Sequence, residues 1–153
     1  MYYLCSSMIA IDYKKIPDWW AVCPNQNCKM AETCLRQQAC RQLPEKLKYW
    51  TCVLPHQWKD EGCERYLKYE TVRMAWGLNR VYQNVQEKYA RSAIRVTLTS
   101  LLGSKGSYYR YKDGERLINP KKQQEIIDVV HRFAPGVDVE FDKTFDDFDF
   151  TTV

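Results

Sequence analysis

The stretch Cys23-Pro24-Asn25-Gln26-Asn27-Cys28-Lys29-Met30-Ala31-Glu32-Thr33-Cys34 brings three cysteines within twelve residues. Thiolates are soft ligands, and four of them can close a tetrahedral structural metal site. Cys63, from a distant segment, can supply the fourth. A metal site of this kind would stabilise an irregular lobe that has little local periodicity of its own. The sequence therefore predicts one metal centre on Cys23, Cys28, Cys34 and Cys63.

The nature of this centre stays open at the level of sequence. The spacing matches neither the two-residue knuckle of zinc ribbons nor the usual ferredoxin run. Zinc is the first expectation, ordinary buried thiols are the second and an iron–sulfur cluster is the third. Cys40 and Cys52 are spare candidates, and His56 could substitute as a ligand. Four thiolates leave no open position on zinc, which favours a structural role over a catalytic one.

The chain has no apolar run of the roughly 20 residues that span a bilayer, so no membrane partner is expected. The mildly apolar start, Met1–Ala10, lacks a basic beginning and a small-residue cleavage site, and Met8 is an alternative start to Met1. We expect a cytoplasmic protein, in which thiols persist and disulfides are rare.

Charge is distributed unevenly along the chain. From Val137 onward there are six acids and one base, which leaves 22 bases and 13 acids in residues 1–136, a net charge of +9. A basic body with an acidic tail favours DNA or RNA as a partner, and the alternative is an ordinary solvated surface.

Hydrophobic periodicity predicts a mainly α-helical fold in three parts. Residues 1–66 form a cysteine-rich, irregular, metal-stapled lobe with one helix from about Ala31 to Gln42. Residues 67–136 form a helical bundle, and residues 137–153 an acidic, aromatic tail. Within the tail, alternation over Val137–Asp142 indicates an edge strand or an extended peptide.

Three helices are expected in residues 67–136. One begins near Thr71 and presents Ala75, Leu78, Tyr82 and Val85 on a single face. The second ends at Gly103, where a left-handed cap is expected, and buries Ile94, Leu98, Leu101 and Leu102. The third begins at Asn119–Pro120, an N-cap followed by a proline at the first helical position, and ends at Ala134–Gly136.

Two groups of residues resemble a family of short, uncharacterised bacterial proteins: Ala21–Cys28 with Cys34–Arg36, and Ser107–Arg110 with Gly114–Arg116 and Gln123–Ile126. The resemblance covers most of the chain and supports treating the four cysteines as one set. Because the family is a domain of unknown function, the resemblance implies no activity.

The stretch from Leu98 to Phe133 is similar to the helix-turn-helix of phage-repressor-type regulators. The resemblance implies that Lys105–Asp113 is a recognition helix, with Ser107, Arg110, Tyr111 and Lys112 facing the major groove and Lys105 and Arg116 meeting phosphates. The alternative is a helical hairpin whose tyrosines pack on the core. The predicted nucleic-acid-binding residues are Lys105, Ser107, Tyr108, Arg110, Tyr111, Lys112 and Arg116.

Signals of catalysis are weak. The sequence has no phosphate-cradling glycine loop, no nucleophile elbow and no paired-histidine zinc signature, and it holds two histidines, His56 and His131. We therefore expect a non-enzymatic protein. The leading hypothesis is a small zinc-stabilised regulator that binds nucleic acid. The alternatives are a module whose acidic tail docks on a protein partner, and an iron–sulfur redox protein.

Overall fold

The fold was obtained as a computed structural model, which describes residues 9–153. It divides into two compact units. Of the described residues, the N-terminal unit comprises 9–71 together with Thr152–Val153, and the C-terminal unit is Val72–Thr151.

The N-terminal unit consists mostly of extended loops and short turns. Its α-helix is α1 (Leu35–Arg41), and single 3₁₀ turns occur at Tyr13–Lys15, Ala31–Thr33 and Pro55–Gln57. Helix α1 is shorter than the predicted Ala31–Gln42 because Cys34 has extended backbone angles and forms a β-bridge with Lys68. An extended residue at this point prevents the preceding turn from continuing into the helix.

Isolated backbone pairings hold these loops together. The Val22 N–H donates to the Thr51 carbonyl (3.0 Å), and the Val53 N–H donates to the Val22 carbonyl (2.8 Å). The Leu35 N–H donates in the same way to the Leu67 carbonyl (2.6 Å). Because each pairing joins segments distant in sequence, local periodicity gave little sign of this arrangement. The buried side chains of the unit include Ile11, Ile16, Trp20, Val22, Ala31, Leu35, Ala39 and Val53.

The C-terminal unit combines a two-stranded antiparallel sheet with three helices. Strand β1 (Val72–Trp76) pairs with β2 (Lys143–Asp147), with Met74 opposite Phe145. On its other side, β1 forms a bridge between Ala75 and Ile118, with two N–H···O bonds of 2.9 Å. The helices are α2 (Lys88–Leu101), α3 (Lys105–Lys112) and α4 (Pro120–Phe133).

The prediction of a mainly α-helical fold is wrong. Residues 9–153 contain four α-helices and a two-stranded antiparallel sheet, and the expected helix from Thr71 is strand β1 followed by a 3₁₀ turn at Asn79–Tyr82. The spacing of Ala75, Leu78, Tyr82 and Val85 suits a helix, but a strand that ends in a tight turn buries the same positions. Gly77, with φ of +82°, breaks the chain between them.

Two other helix predictions for this unit are confirmed. Gly103 has φ of +101° just past the end of α2, as expected of a left-handed cap. Asn119 caps α4 by accepting a hydrogen bond from the Lys122 N–H (2.8 Å), with Pro120 at the first helical position.

The core of the C-terminal unit lies where α2, α3 and α4 meet the sheet. Helix α2 buries Ala90, Ile94 and Leu98 on one stripe, so its opposite face is left to solvent. The core consists of Ala75, Leu78, Val81, Val85, Ala90, Ile94, Leu98, Leu102, Tyr108, Ile118, Ile126, Val129, Val130 and Phe141. Among residues 9–153, every helix is too short or too polar to cross a lipid bilayer.

Segment 137–153 contributes to the fold rather than forming only a polar appendage. The side chains of Phe141, Phe148 and Phe150 are buried. Its strand, β2, lies one segment later than the alternation over Val137–Asp142 indicated. Several of its acids bind within the C-terminal unit: Glu140 pairs with Arg80 (2.5 Å), Asp146 pairs with Arg73 (3.3 Å) and Asp142 accepts from the Arg80 N–H (2.7 Å).

Candidate functional site

Four cysteine side chains of the N-terminal unit line one small cavity. They are Cys23, Cys28, Cys34 and Cys63, the four that the sequence singled out. The cavity has a volume of about 20 Å³, which is room for roughly one water-sized sphere. We call it the cysteine cavity.

Backbone hydrogen bonds position these cysteines. Cys23 follows the bridged residue Val22, and its N–H donates to the Arg36 carbonyl (3.0 Å). The loop to Cys28 is held by the Gln37 side-chain amide, which donates to the Asn25 carbonyl (2.8 Å). Cys63 begins a turn in which the Tyr66 N–H donates to its carbonyl (3.1 Å). The cavity is therefore built from the stretch Cys23–Cys34, which bonds to α1 hold in place, and from the distant turn at Cys63.

Burial raises the pKa of the Cys23 thiol above its ordinary value. A backbone hydrogen bond at Asn25 lowers this pKa, whereas the neighbouring Cys34, Cys28 and Cys63 each raise it, because several thiolates in one place repel one another. A cation in the cavity would reverse this effect, since metals bind thiolates and displace their protons.

The side-chain geometry is not that of a formed coordination shell. Within residues 9–153, no group of three or more His, Cys, Asp or Glu side chains is arranged to hold a metal ion. The four thiols share one cavity and have suitable chemistry for a soft cation, but they would have to move closer to one another to bind it. All six cysteines from Cys23 to Cys63 are free thiols.

The spare candidates lie outside the cysteine cavity. Burial raises the pKa of the Cys40 thiol on α1, with smaller contributions from Cys23 and Cys52. Cys52 is exposed, and it lines, with His56, a larger cavity of about 420 Å³ in the same unit. Cys5 lies outside the described residues.

Arg36 is a wall residue of the cysteine cavity and is unusually buried for a charged side chain, with 3% of its surface exposed. Its guanidinium donates to the carbonyls of Ala21 (2.6 Å), Arg65 (2.9 Å) and Thr152 (3.4 Å). One face of the guanidinium lies 4.6 Å from the centre of the Trp20 ring. The carbonyl bonds satisfy its donors but do not neutralise its charge.

The C-terminal unit carries a second candidate site, a groove between the exposed sides of α2 and α3. Two adjoining cavities of about 370 Å³ and 380 Å³ share Ser92, Arg95, Tyr108 and Tyr109, and we call them together the α2–α3 groove. The remaining lining residues are Tyr82, Arg91, Val96, Thr99, Lys105 and Lys112. All charged residues in this lining are basic.

Tyr109 is fixed at the centre of the groove. Its hydroxyl accepts a hydrogen bond from the Arg95 guanidinium (2.8 Å), and the Lys112 ammonium lies 5.6 Å from the centre of its ring. The hydroxyls of Tyr82 and Tyr108 form a partly buried 2.8 Å hydrogen bond at the floor. The groove therefore combines aromatic side chains with cationic ones that contact them.

The predicted nucleic-acid-binding residues, on α3 and just after it, lie in two different surroundings. Lys105, Lys112 and Tyr108 line the α2–α3 groove, and Tyr108 is at the same time largely buried in the core, with 3% exposure. A second group lies around Arg116, outside the groove. The Arg116 guanidinium donates to the Ser107 hydroxyl (3.3 Å) and lies 5.8 Å from the centre of the Tyr111 ring. The backbone N–H of Arg116 donates to the Arg110 carbonyl (3.1 Å).

Sequence reasoning missed the contribution of α2 to this site. Arg91, Ser92 and Arg95 are exposed residues of α2 that lie outside its buried stripe of Ala90, Ile94 and Leu98. The spacing of four residues between Arg91 and Arg95 was a usable signal, because residues i and i+4 share one face of a helix.

Comparison with known proteins gives a family without a function. A model of a family of unknown function, DUF6078, matches residues 7–150. The expected resemblance to an uncharacterised family is confirmed to that extent, and the match carries no information on the cysteine motif or on a helix-turn-helix. Searches of curated proteins and of solved structures found no match.

Proposed function

Because the chain belongs to this family of unknown function, we propose a function from its own geometry: it binds nucleic acid through the α2–α3 groove. One observation carries the proposal. The four charged residues that line the groove, Arg91, Arg95, Lys105 and Lys112, are all basic.

Electrostatics favours a polyanion in such a groove. Phosphates of a nucleic-acid backbone displace condensed counterions when Lys and Arg neutralise them, and this release supplies most of the sequence-independent binding energy. Arg91 and Arg95 are exposed and one helical turn apart, so both can reach one backbone. The acids Glu140, Asp142 and Asp146 do not line the groove and have basic or amide partners of their own.

The aromatic content of the groove favours nucleic acid over a simple anion. Tyr109 is partly exposed and held by Arg95, so its ring is presented in a fixed orientation. Stacking of a base on such a ring contributes about 1–3 kcal/mol, and it tolerates any base sequence. We therefore expect the groove to bind nucleic acid by contacts with the phosphate backbone and by stacking on the faces of bases.

The order of α2, a turn at Gly103 and α3 supports a relation to the helix-turn-helix of phage-repressor-type regulators. Ser104 caps α3 by accepting a hydrogen bond from the Ser107 N–H (3.1 Å). In a regulator of that type the outward face of α3, which carries Arg110, would enter the major groove of a duplex. Our proposal assigns the contact to the α2–α3 groove instead, and the outward face is the competing surface.

Fluorescence anisotropy tests the proposal directly. The protein is titrated with labelled single-stranded and duplex oligonucleotides of about 20 nucleotides, a length that exceeds the ~4–16 nucleotides that small domains cover. We expect log affinity to fall linearly with log salt between about 50 and 200 mM. Replacing both Arg91 and Arg95 by Gln should reduce the magnitude of that slope by about 2.

The control for this experiment is the single substitution Arg132→Gln. Arg132 is exposed on α4 and does not line the groove, so the substitution removes one positive charge from the same unit. It should reduce the slope by much less than one. Absence of binding at low salt, or an unchanged slope in the groove variant, would contradict the proposal.

A second part of the proposal concerns the N-terminal unit, where a zinc ion bound by Cys23, Cys28, Cys34 and Cys63 stabilises the loops. The supporting observation is that these four thiols line a single cavity of about 20 Å³. Zinc would supply cross-linking of distant segments and no catalysis, since four thiolates leave it no open position. An iron–sulfur cluster on the same ligands is the alternative.

Elemental analysis of protein purified without added metal and under anaerobic conditions tests this part. We expect one zinc per chain and colourless protein. Iron together with visible absorbance would indicate an iron–sulfur cluster in place of zinc. Protein without either metal would indicate that the four cysteines are ordinary buried thiols.

A further inference from the structure

Arg36 is a buried cation without a carboxylate partner. It has 3% of its surface exposed, and in the part of the chain from residue 9 onward no Asp or Glu forms an ion pair with it. Buried charges in proteins are normally paired, because desolvation of an ion costs several kcal/mol even after the surroundings relax. Three carbonyl acceptors reduce that cost but leave one full positive charge inside the N-terminal unit.

Arg36 lies between the two cavities of the N-terminal unit, since it lines both the cysteine cavity and the larger cavity of Cys52 and His56. It lies two residues after Cys34, and its carbonyl accepts the N–H of Cys23. Burial is the main factor that lowers the pKa of its guanidinium, and the nearby Arg65 lowers it further. The thiolate forms of Cys34, Cys23 and Cys63 act in the opposite direction, which means that their negative charge would stabilise this cation.

The other charged residues of the cavity wall are also positive. They are Lys59 and Arg65, and the wall contains no Asp or Glu. A wall of four thiols and three basic side chains suits an anionic centre. Four thiolates around one divalent cation carry two net negative charges, and such a centre needs compensating cations once it is shielded from water.

We infer that Arg36 is a positioning residue that supplies the internal counter-charge of a tetrathiolate metal centre formed by Cys23, Cys28, Cys34 and Cys63. This inference rests on the metal-binding part of the proposed function. It specifies the site more closely: a single thiophilic divalent cation bound by all four thiolates, with charge balance provided by the protein and not by bulk ions. The chemistry of such a site suits zinc, and cadmium or cobalt can serve as probes of it.

The test is the zinc affinity of the full-length protein, measured by competition with a chromophoric chelator. We expect Arg36→Met, which keeps an apolar stem but removes the charge, to weaken zinc binding by about 10- to 100-fold, the usual effect of losing an outer-shell partner of a metal site. Arg36→Lys should keep most of the affinity because it restores the charge. Lys48→Met is the control, since Lys48 is exposed in the same unit and does not line the cavity.

The outcomes separate this inference from the proposal on which it depends. Wild-type protein that binds no zinc refutes the metal centre itself. Wild-type protein that binds zinc, together with an Arg36→Met variant of equal affinity, overturns the counter-charge while leaving the metal centre intact.

The Lys variant keeps the test decisive if Arg36→Met does not fold. Arg36→Lys retains the charge but loses most of the hydrogen bonds that Arg36 donates to three backbone carbonyls. A counter-charge predicts near wild-type zinc affinity with a lower melting temperature. Zinc affinity that falls by 10-fold or more in the Lys variant would instead assign Arg36 to holding the loops of Ala21, Arg65 and Thr152, and would overturn the inference.

Discussion

Gly114 lies directly against the indole ring of Trp76, so close that a methyl group added to Gly114 would come within 1.8 Å of the ring. Gly114 also has φ of +81°, a backbone conformation that residues with a side chain rarely adopt. It follows the end of α3, and Trp76 ends strand β1. This contact therefore fixes the distance between the sheet and α3, the helix that forms one side of the α2–α3 groove.

We predict that Gly114→Ala lowers the free energy of unfolding of the C-terminal unit by about 2–4 kcal/mol, because overpacking adds about 1–3 kcal/mol to the cost of the positive φ. Urea unfolding followed by circular dichroism measures this. The control is Gly103→Ala, since Gly103 has φ of +101° but open space where the methyl group would lie. Equal losses in the two variants would show that the contact with Trp76 has no energetic role.

The hydrogen bond between Tyr82 and Tyr108 gives a prediction with a pH dependence. Burial raises the pKa of Tyr82 above its ordinary value, and the hydroxyl of Tyr108 raises it further. Tyr82→Phe leaves the buried Tyr108 hydroxyl without this partner, so we expect a loss of about 1–2 kcal/mol at neutral pH. The measurement is the melting temperature or the urea midpoint of both proteins.

The pH dependence of this difference follows from the direction of the pKa shift. Below pH of about 10, Tyr82 is protonated in both the folded and the unfolded chain, so its contribution is fully present. Above that pH the unfolded chain releases the proton while the folded chain keeps it, and the wild type loses stability that the Phe variant does not lose. The gap between the two proteins should therefore narrow from pH 10 upward, and a constant gap would contradict the pKa shift.

The cysteines should differ in their rates of alkylation. Cys52 is exposed, whereas Cys34 is buried and burial raises the pKa of Cys23 and Cys40, which lowers their thiolate fraction. Among the six described cysteines, from Cys23 to Cys63, we expect iodoacetamide to modify Cys52 first in the native protein and Cys34 last. Peptide mass spectrometry after short exposures gives the order, and modification of Cys34 as fast as Cys52 would contradict the burial.

Removal of metal should change these rates selectively. If zinc is bound as proposed, a strong chelator should accelerate alkylation of the four cysteines of the cavity and leave Cys52 unchanged, because thiolates held by a metal are poor nucleophiles until released. Cys52 thus serves as the internal control. Uniform rates with and without chelator would count against the metal centre.

The success and failure of sequence reasoning have separate physical causes. The α4 start was predictable because Asn119 and Pro120 act locally, through one side-chain bond and one fixed φ angle. Strand β1 was not predictable in this way, because its partner β2 is about 70 residues later in the chain and its apolar spacing also fits a helix. Tertiary pairing decided between the two.

The same difference between local and tertiary information decided how much of the candidate sites could be predicted. The four cysteines could be selected because their side chains have few other roles in an irregular lobe, although the hydrogen-bonded loops that bring them to one cavity were invisible in the sequence. Tyr108 was predicted to contact nucleic acid, and its side chain is largely buried in the core and lines the α2–α3 groove from there, because α3 packs this face against α2, whose position the sequence did not show. The same missing information concealed Arg91 and Arg95.

Arg95 and Arg110 form a matched pair that decides which surface of the C-terminal unit binds nucleic acid. Both are exposed arginines. Arg95 lines the α2–α3 groove from α2. Arg110 lies on α3 outside the groove, and its side chain forms no hydrogen bond or ion pair within residues 9–153.

We expect Arg95→Gln to weaken binding about equally for all sequences and to reduce the salt slope by about 1. Arg110→Gln should change the binding free energy by no more than about 0.5 kcal/mol, as for an uninvolved surface residue. Anisotropy with several duplex and single-stranded sequences measures both variants. The opposite result, in which Arg110→Gln costs about 1–3 kcal/mol on particular duplexes while Arg95→Gln has no effect, would assign binding to a recognition helix that reads bases in the major groove.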